Sequence, residues 1–452
     1  MILKQHYSRF FEKKGLLFFL FFVLVSTFII YKPGDERSNF LLQNLYFISS
    51  TISLFGMFSN LDKLSYSVNK IFFIFHFLFF GIAPIVQYKN NITFFGASYL
   101  NDTVYLELAV ILILVQLIYL FSYCFFIKKM KTIYFLNKIE FDLIKVDFRM
   151  SMAILSFFLL FFFYLIDFNW IVIIERPGYQ WQKNNTNLGL LGYALLLTIR
   201  SIPIVVFLFY KLKNETSEVY KEIILLLFVF IIAFPTSLPR ATVAAYYLPL
   251  FFIYVKKINN PYFFNITFLL GFFLLFPILN YFKEFNIADI DIGVKIFKTV
   301  HLDAFHNFAQ LYSQQIITNG RQFIGSIFFF IPESIWYNRP KGTGHMLAEI
   351  NNYSYSNISM PLWGEGFVNF GFYGILVCII LISFINAFFD SFSKNKNIII
   401  KILFLFFIGY EFYLLRGDLF SSCKKIFGFS LAILIVFLCY KLILSFVKLL
   451  KI

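Results

Sequence analysis

Apolar runs long enough to cross a bilayer recur along the whole chain, separated by short polar segments. A spanning helix needs about 20 mostly apolar residues, and sliding along the sequence identifies about twelve such segments. They are residues 15–31, 40–58, 71–87, 104–127, 152–166, 188–210, 223–234, 241–255, 262–282, 367–388, 398–415 and 426–447. The pattern predicts an all-α polytopic membrane protein with about twelve transmembrane helices.

Lysines are concentrated in alternate loops. If the basic N-terminus is cytoplasmic, the cytoplasmic loops and the C-terminus carry Lys63, Lys70, Lys128, Lys129, Lys131, Lys211, Lys213, Lys221, Lys256, Lys257, Lys394, Lys396, Lys448 and Lys451. Short loops rich in Lys stay on the cytoplasmic side during insertion. This orientation puts both termini in the cytoplasm and predicts an even number of spans.

One predicted outer loop, residues 283–362, is far longer than the 2–8 residues typical of helix connections. It divides the chain into helices one to nine (1–282), the loop itself, and helices ten to twelve (363–452). Apolar residues at helical spacing predict an amphipathic helix, with Asp303, His306, Asn307, Gln310 and Gln314 on its polar face. Residues 323–331 are apolar but too short to span, which indicates a re-entrant or interfacial segment.

Composition excludes several other classes of protein. The chain is 60% hydrophobic and 14% charged, against about 45–50% and about 25% in soluble domains. The net charge of +15 comes from basic clusters scattered between apolar runs, so we predict no nucleic-acid partner. The four cysteines lack metal-ligand spacing. The Asp-x-Asp match at 289–291 is too short to assign a metal, and we predict neither metal nor cofactor.

Arginine is distributed differently from lysine. Six arginines fall on the predicted outer side, namely Arg37, Arg176, Arg240, Arg321, Arg339 and Arg416. Because outer arginine opposes the orientation bias, we expect another requirement to keep it there. Guanidinium is a planar, permanently charged fork that suits phosphate and carboxylate oxygens. This predicts an anionic ligand at the outer face, with ordinary lipid headgroups as the alternative partner.

Two ionisable residues fall at or near membrane depth, where function is the default hypothesis. Arg200 lies about midway along the sixth predicted span; the alternative is a structural ion pair with Asp167, Glu411 or Glu107. Glu365 enters the tenth span within the glycine-rich segment 363–374. The falling dielectric there suits a general base, and a glutamate merely hydrogen-bonded at a helix start is the alternative.

Three stretches resemble the Wzy-type O-antigen polymerases, also called oligosaccharide repeat unit polymerases. They are residues 301–305 (HLDAF), 331–344 (IPESIWYNRPKGTG) and 364–371 (GEGFVNFG), with the Arg-Pro-Gly of 176–178 in the first half. The resemblance implies a helical glycosyltransferase of the GT-C kind at the periplasmic face of the bacterial inner membrane. Such proteins transfer a growing glycan from one undecaprenyl diphosphate onto the terminal sugar of a new lipid-linked repeat unit.

The resemblance also implies roles for the residues. Basic side chains would hold the diphosphate: Arg176, Arg339, Arg416, Arg240, Arg200 and Lys341. A carboxylate or imidazole would activate the acceptor hydroxyl, in the order Glu365, Asp303, His306. Aromatic side chains would stack on sugars: Tyr179, Trp181, Trp336 and Trp363, although Tyr179 and Trp181 also fit an interfacial aromatic belt. The implied partners are lipid-linked glycans as donor and acceptor, membrane lipid, and a protein that regulates chain length.

Two other functions fit the predicted topology. An O-antigen ligase also carries one large outer loop, so topology does not separate it from a polymerase. A flippase that exports the lipid-linked unit also has about twelve spans, but flippases lack so long an outer loop. Deletion phenotypes discriminate: single lipid-linked units outside indicate a lost polymerase, long lipid-linked chains a lost ligase, and units trapped in the cytoplasm a lost flippase.

Overall fold

The computed structural model describes residues 12–32, 36–62, 64–130, 146–175, 189–214, 216–275, 293–332, 334–393 and 397–449. Within these ranges every regular element is a helix, which confirms the all-α prediction. The main helices are α1 (Lys13–Tyr31), α2 (Phe40–Phe58), α3 (Val68–Lys89), α4 (Asp102–Met130), α5 (Phe148–Leu165), α6 (Gly189–Lys213), α7 (Val219–Ile232), α8 (Arg240–Tyr254), α9 (Pro261–Leu270), α10 (Ala304–Ser313), α11 (Arg321–Ile327), α12 (Thr343–Ile350), α13 (Leu362–Phe392), α14 (Ile398–Arg416) and α15 (Leu419–Leu449).

Each of the twelve predicted apolar segments contains a helix within the described residues. In the described ranges, ten helices are long and apolar enough to cross a membrane, so the chain is a multi-pass membrane protein. The other two, α8 and α9, are shorter apolar helices. Pro235 and Pro239 separate α7 from α8, because proline cannot continue a helix. The count of about twelve spans stays a prediction.

Contacts between loops agree with the predicted alternation of sides. Arg37, before α2, pairs with Asp102, at the start of α4, at 2.8 Å. At the other end of the bundle, the Asp390 carboxylate accepts the backbone N–H of Val68 at 2.8 Å. Loops that the sequence assigns to the same side of the membrane therefore lie together in the structure. We call the side that carries residues 293–361 the loop face, and the other side the opposite face.

The helix α13 is broken near the loop face. Phe370 and Gly371 leave helical geometry, and Gly371 has φ +61° and ψ −142°, a conformation open essentially to glycine alone. A Cβ on Gly374 would lie 1.9 Å from the carbonyl oxygen of Gly366. Eight residues of straight helix would separate the two by about 12 Å, so the chain folds back sharply at this point.

The carbonyl groups freed by the break are satisfied by the neighbouring loop. The backbone N–H of Thr318 donates to Val368 O at 2.6 Å, and that of Gly320 donates to Asn369 O at 2.9 Å. The side chain of Asn369 accepts the N–H of Phe323 at 2.8 Å. Hydrogen bonds from the start of α11 therefore hold the short first part of α13, which carries Glu365, in place.

The predicted amphipathic helix exists as α10, and most of its polar face is buried. Asp303, His306, Asn307 and Gln310 are buried along with the apolar residues, whereas Gln314 is exposed. Polar partners on neighbouring segments make this burial possible, as when Gln310 Nε2 donates to Ser98 O at 2.7 Å. The helix packs inside the loop face instead of lying on it. Residues 323–331 form α11 and a following turn, too short to span as predicted.

Candidate active site

A buried ion pair joins the start of α10 to the end of α14. Arg416 Nη2 lies 2.9 Å from Asp303 Oδ1, and the Asp303 side chain is 2% exposed while that of Arg416 is 28% exposed. Asp303 also accepts Ser359 Oγ at 2.6 Å and Asn307 Nδ2 at 2.9 Å. With its oxygens occupied by these donors, Asp303 orients the Arg416 guanidinium. Because its partner is a fixed cation, we assign Asp303 to positioning Arg416, and its role as the general base stays a prediction.

Two carboxylates meet at the start of α15. Glu365, 1% exposed, accepts Thr343 Oγ1 at 2.7 Å and the backbone N–H of Leu419 at 2.9 Å. Asp418 accepts the N–H groups of Gly344 and Ser421, each at 3.1 Å. The partial positive charge of a helix N-terminus favours such groups. Glycine is required at position 342, because a Cβ there would lie 2.1 Å from the Asp418 carboxylate.

Asp418 titrates in an unusual environment. Burial raises the pKa of its carboxyl group, and the N–H donors of Ser421 and Gly344 oppose this shift. The nearby Glu365 is a second buried acid, and the two influence each other electrostatically. A buried carboxyl group whose pKa is shifted by its surroundings is typical of sites that carry out acid–base chemistry.

Two basic side chains lie on the ring of Phe420, in the first turn of α15. The guanidinium carbon of Arg339 is 5.5 Å from the ring centroid, and Lys424 Nζ is 3.9 Å from it. Arg339 also donates to the carbonyls of Phe329 and Ile331, at 3.1 and 2.8 Å. Arg339 and Arg416, which are far apart in sequence, therefore come to the same end of one helix.

His306 occupies an apolar pocket. Phe94 packs edge-on against its ring with centroids 5.5 Å apart, and neither ring nitrogen has a hydrogen-bond partner among the described residues. Burial lowers the pKa of His306 to about 4, against an opposing effect of the Asp303 charge. The ring is thus neutral and shielded from solvent, and the role of His306 as a base stays a prediction.

Trp363 and Trp336 differ in how far they are buried. Trp363 is fully buried and packs against Phe72 and His76, with ring centroids 6.1 and 5.5 Å away, so the prediction that it stacks on a sugar is wrong in this conformation. Its apolar contacts show the reason: it begins α13 inside the bundle. Trp336 is partly exposed beside the exposed Tyr337, and its role in sugar stacking stays a prediction.

Arg200 takes part in a separate set of contacts. Arg200 is buried and donates to the carbonyls of Ser237 and Val172, at 3.0 and 3.1 Å, so it ties neighbouring loop-face turns together. Two of its proposed carboxylate partners bond elsewhere: Glu411 accepts Asn386 and Glu107 accepts Tyr312.

Lys341 pairs at the surface with Glu349, and the hydrogen bond from this lysine lowers the pKa of that glutamate. Arg240 begins α8, and its side chain is outside the described part of the structure. Arg176, Tyr179 and Trp181 lie outside the described residues.

The sequence analysis assigns no role to three residues of this site, Asp418, Thr343 and Lys424. Lys424 was read as loop, because the last span was started at residue 426. The sequence did contain a signal for Lys424. The Lys424-Lys425 pair, like the outer arginines, lies on the predicted outer side, where the orientation rule does not expect basic residues.

Together these contacts define a cluster at the start of α15: the bases of Arg339, Arg416 and Lys424 beside the acids Glu365 and Asp418. Such a set can stabilise an anion that develops during bond cleavage and can accept a proton. Within the described ranges, no group of three or more His, Cys, Asp or Glu side chains is placed to hold a metal ion. The chain matches no family model, no curated protein and no solved structure among those compared with it.

Proposed function

We propose that this chain is a glycosyltransferase that polymerises lipid-linked oligosaccharide repeat units, as its resemblance to the Wzy-type polymerases implies. The observation that carries the proposal is that Glu365 accepts the N–H of Leu419 at the start of α15, where Arg339 and Lys424 lie on the neighbouring Phe420 ring, four residues after the paired Arg416. In this proposal the loop face is periplasmic and the membrane is the bacterial inner membrane. The substrates are two undecaprenyl-diphosphate-linked glycans, and the fold is of the GT-C kind.

The chemistry requires two functions that this cluster supplies. An acceptor hydroxyl oxygen attacks the anomeric carbon of the donor sugar, the bond from that carbon to the diphosphate oxygen breaks, and the hydroxyl proton passes to a base. Charge grows on the departing diphosphate, and losing one preorganised donor to such a charge typically costs about 3–4 kcal/mol. Arg416 and Arg339 stabilise this charge. A positioned base contributes about 10²–10⁴-fold, and Glu365 fills this role.

Of the two proposed diphosphate ligands, Arg416 is the one whose guanidinium is fixed by a buried carboxylate. Asp303 holds its guanidinium from one side, so the side chain is preorganised and loses little rotamer freedom when an anion binds. An arginine fixed in this way contributes more to a transition state than a mobile lysine at the surface, such as Lys341, which pairs with Glu349.

The test is complementation of a bacterial strain that lacks its own repeat-unit polymerase and makes the matching lipid-linked unit. Lipopolysaccharide on a gel should show a ladder with the wild-type chain and single repeats with Arg416→Ala. Arg416→Lys should restore the ladder poorly, because one ammonium does not replace a guanidinium fork.

The matched control is Arg37→Lys, at another loop-face arginine that pairs with a carboxylate, Asp102, outside the cluster. The control should give a wild-type ladder at equal protein level. Full ladders from Arg416→Ala and Arg339→Ala would defeat the electrostatic mechanism. Accumulation of long lipid-linked chains on deletion would instead identify a ligase, and units trapped in the cytoplasm would identify a flippase.

A further inference from the structure

The outward side of α15 combines a basic group with an apolar stripe. Lys424 follows Phe420 by one helical turn, and Phe427, Leu434 and Leu438 continue along the same side at helical spacing. All three of these apolar side chains are exposed in the bundle. In a membrane-spanning helix such a stripe faces the hydrocarbon, and Lys424 lies where its ammonium can reach the headgroup level.

The short helix α11 borders this stripe near the loop face. Phe329, in the turn after α11, packs edge-on against Phe427 with ring centroids 5.6 Å apart. Ile324, Ile327 and Phe330 of the same segment are exposed apolar side chains. This arrangement is typical of an interfacial helix. A lipid at α15 would therefore have apolar neighbours on two sides.

The basic group at the top of the stripe is built from two chain segments. Arg339 and Lys424 both lie on the Phe420 ring, and the carbonyls of Phe329 and Ile331 fix the guanidinium. Cations held on an aromatic ring at the membrane surface suit a phosphate headgroup. Two of them suit a diphosphate better than the single phosphate of an ordinary phospholipid.

We propose that the outward side of α15, from Phe420 to Leu438, is the site at which a polyprenyl diphosphate enters from the bilayer. Its diphosphate lies on Lys424 and Arg339 and its isoprenoid chain follows Phe427 and Leu434. This inference rests on the proposed function and adds a route to it: Arg339 and Lys424 belong to the candidate active site and Phe420 is four residues from Arg416, so a lipid that enters along α15 brings its headgroup directly to that site.

The experiment is photo-crosslinking of the full chain in nanodiscs of phosphatidylethanolamine and phosphatidylglycerol that contain a few mole per cent of undecaprenyl diphosphate. A benzoylphenylalanine replaces Phe427, and in a control protein it replaces Phe157, a lipid-exposed phenylalanine of α5. Mass spectrometry identifies the attached lipid. We expect isoprenoid adducts at position 427 to exceed those at position 157 by about tenfold, the effect of one good charge-assisted contact.

The matched variant separates the basic group from general attraction to the membrane. Lys424→Gln should lower the isoprenoid adduct at position 427 about tenfold. Lys441→Gln, which removes the same Phe-Lys pairing (Nζ to the Phe437 ring, 4.8 Å) at the other end of α15, should leave it unchanged. Equal adducts at 427 and 157, or phosphatidylglycerol adducts alone, would overturn the proposal in favour of bulk lipid.

The two proposals fail in different ways. Crosslinking requires no sugar transfer, so an isoprenoid adduct at position 427 together with an unchanged glycan pattern in the deletion strain would overturn the polymerase and keep the lipid site. A ladder restored in the strain without preferential adducts at 427 would overturn the lipid site and keep the polymerase.

Discussion

The ion pair between Asp303 and Arg416 makes a quantitative prediction about stability. Removing one partner of a buried pair costs about 3–5 kcal/mol. Because the Arg416 side chain is 28% exposed, water recovers part of this, and we expect Asp303→Asn to lower the free energy of unfolding by about 2–3 kcal/mol. Arg416→Gln should cost about 2 kcal/mol, since Ser359 and Asn307 still donate to the buried carboxylate.

A double-mutant cycle isolates the interaction itself. The double variant should be more stable than the sum of the single effects implies, by about 1.5 kcal/mol or more. The measurement is reversible unfolding in mixed micelles titrated with dodecyl sulfate, followed by circular dichroism. The Arg37–Asp102 pair serves as the control, because its side chains are 27% and 41% exposed, and exposed pairs couple by less than about 1 kcal/mol.

The result that would refute this reasoning is additivity. If the effects of Asp303→Asn and Arg416→Gln add within about 0.5 kcal/mol, then Asp303 does not hold the guanidinium, and Arg416 is not preorganised for an anion. Asp303 would then return as a candidate for another role at this site.

Three further outcomes are expected. Glu365→Gln should abolish the lipopolysaccharide ladder yet leave the unfolding midpoint near wild type, because the amide oxygen still accepts the Leu419 N–H; a normal ladder would exclude Glu365 as the base. Gly371→Ala should lower the free energy of unfolding by about 1–3 kcal/mol through backbone strain at φ +61°. The control Gly428→Ala should leave the free energy of unfolding unchanged, because an added Cβ there has no neighbour closer than 3.5 Å. The pKa of about 4 for folded His306 lies below the roughly 6.5 of an unfolded histidine, so its contribution to stability is full above about pH 6.5 and is lost as the pH falls toward 4. In the His306→Phe variant the melting temperature should therefore change less between pH 6.5 and pH 4 than it does in the wild-type protein. An equal change in both proteins would contradict this assignment.

The apolar helices were predictable because each span needs only its own residues. Length and hydropathy decide whether a segment crosses a membrane, and α2 was predicted to the residue at Phe40–Phe58. Predictions failed where a polar residue touched another part of the chain. The tenth span was started at Phe367 but begins at Leu362, because Trp363 and Glu365 find buried partners inside the bundle.

The candidate site shows the same division. Sequence alone selected Glu365, Arg339 and Arg416 from their types and their predicted side of the membrane. It could not show that Asp303 pairs with Arg416, nor recognise Lys424, since those contacts depend on partners more than 50 residues away along the chain, such as Ser359 and Arg339.

The sequence by itself therefore determined that the chain is a bundle of membrane helices and predicted one long loop. The reason is that the length and hydropathy of each segment decide whether that segment crosses a membrane, whatever the rest of the chain does. Only the tertiary structure decided which charged residues meet. In a membrane protein an ion pair or a buried acid is stable only when a specific partner compensates its desolvation, and the position of that partner is a property of the packed bundle.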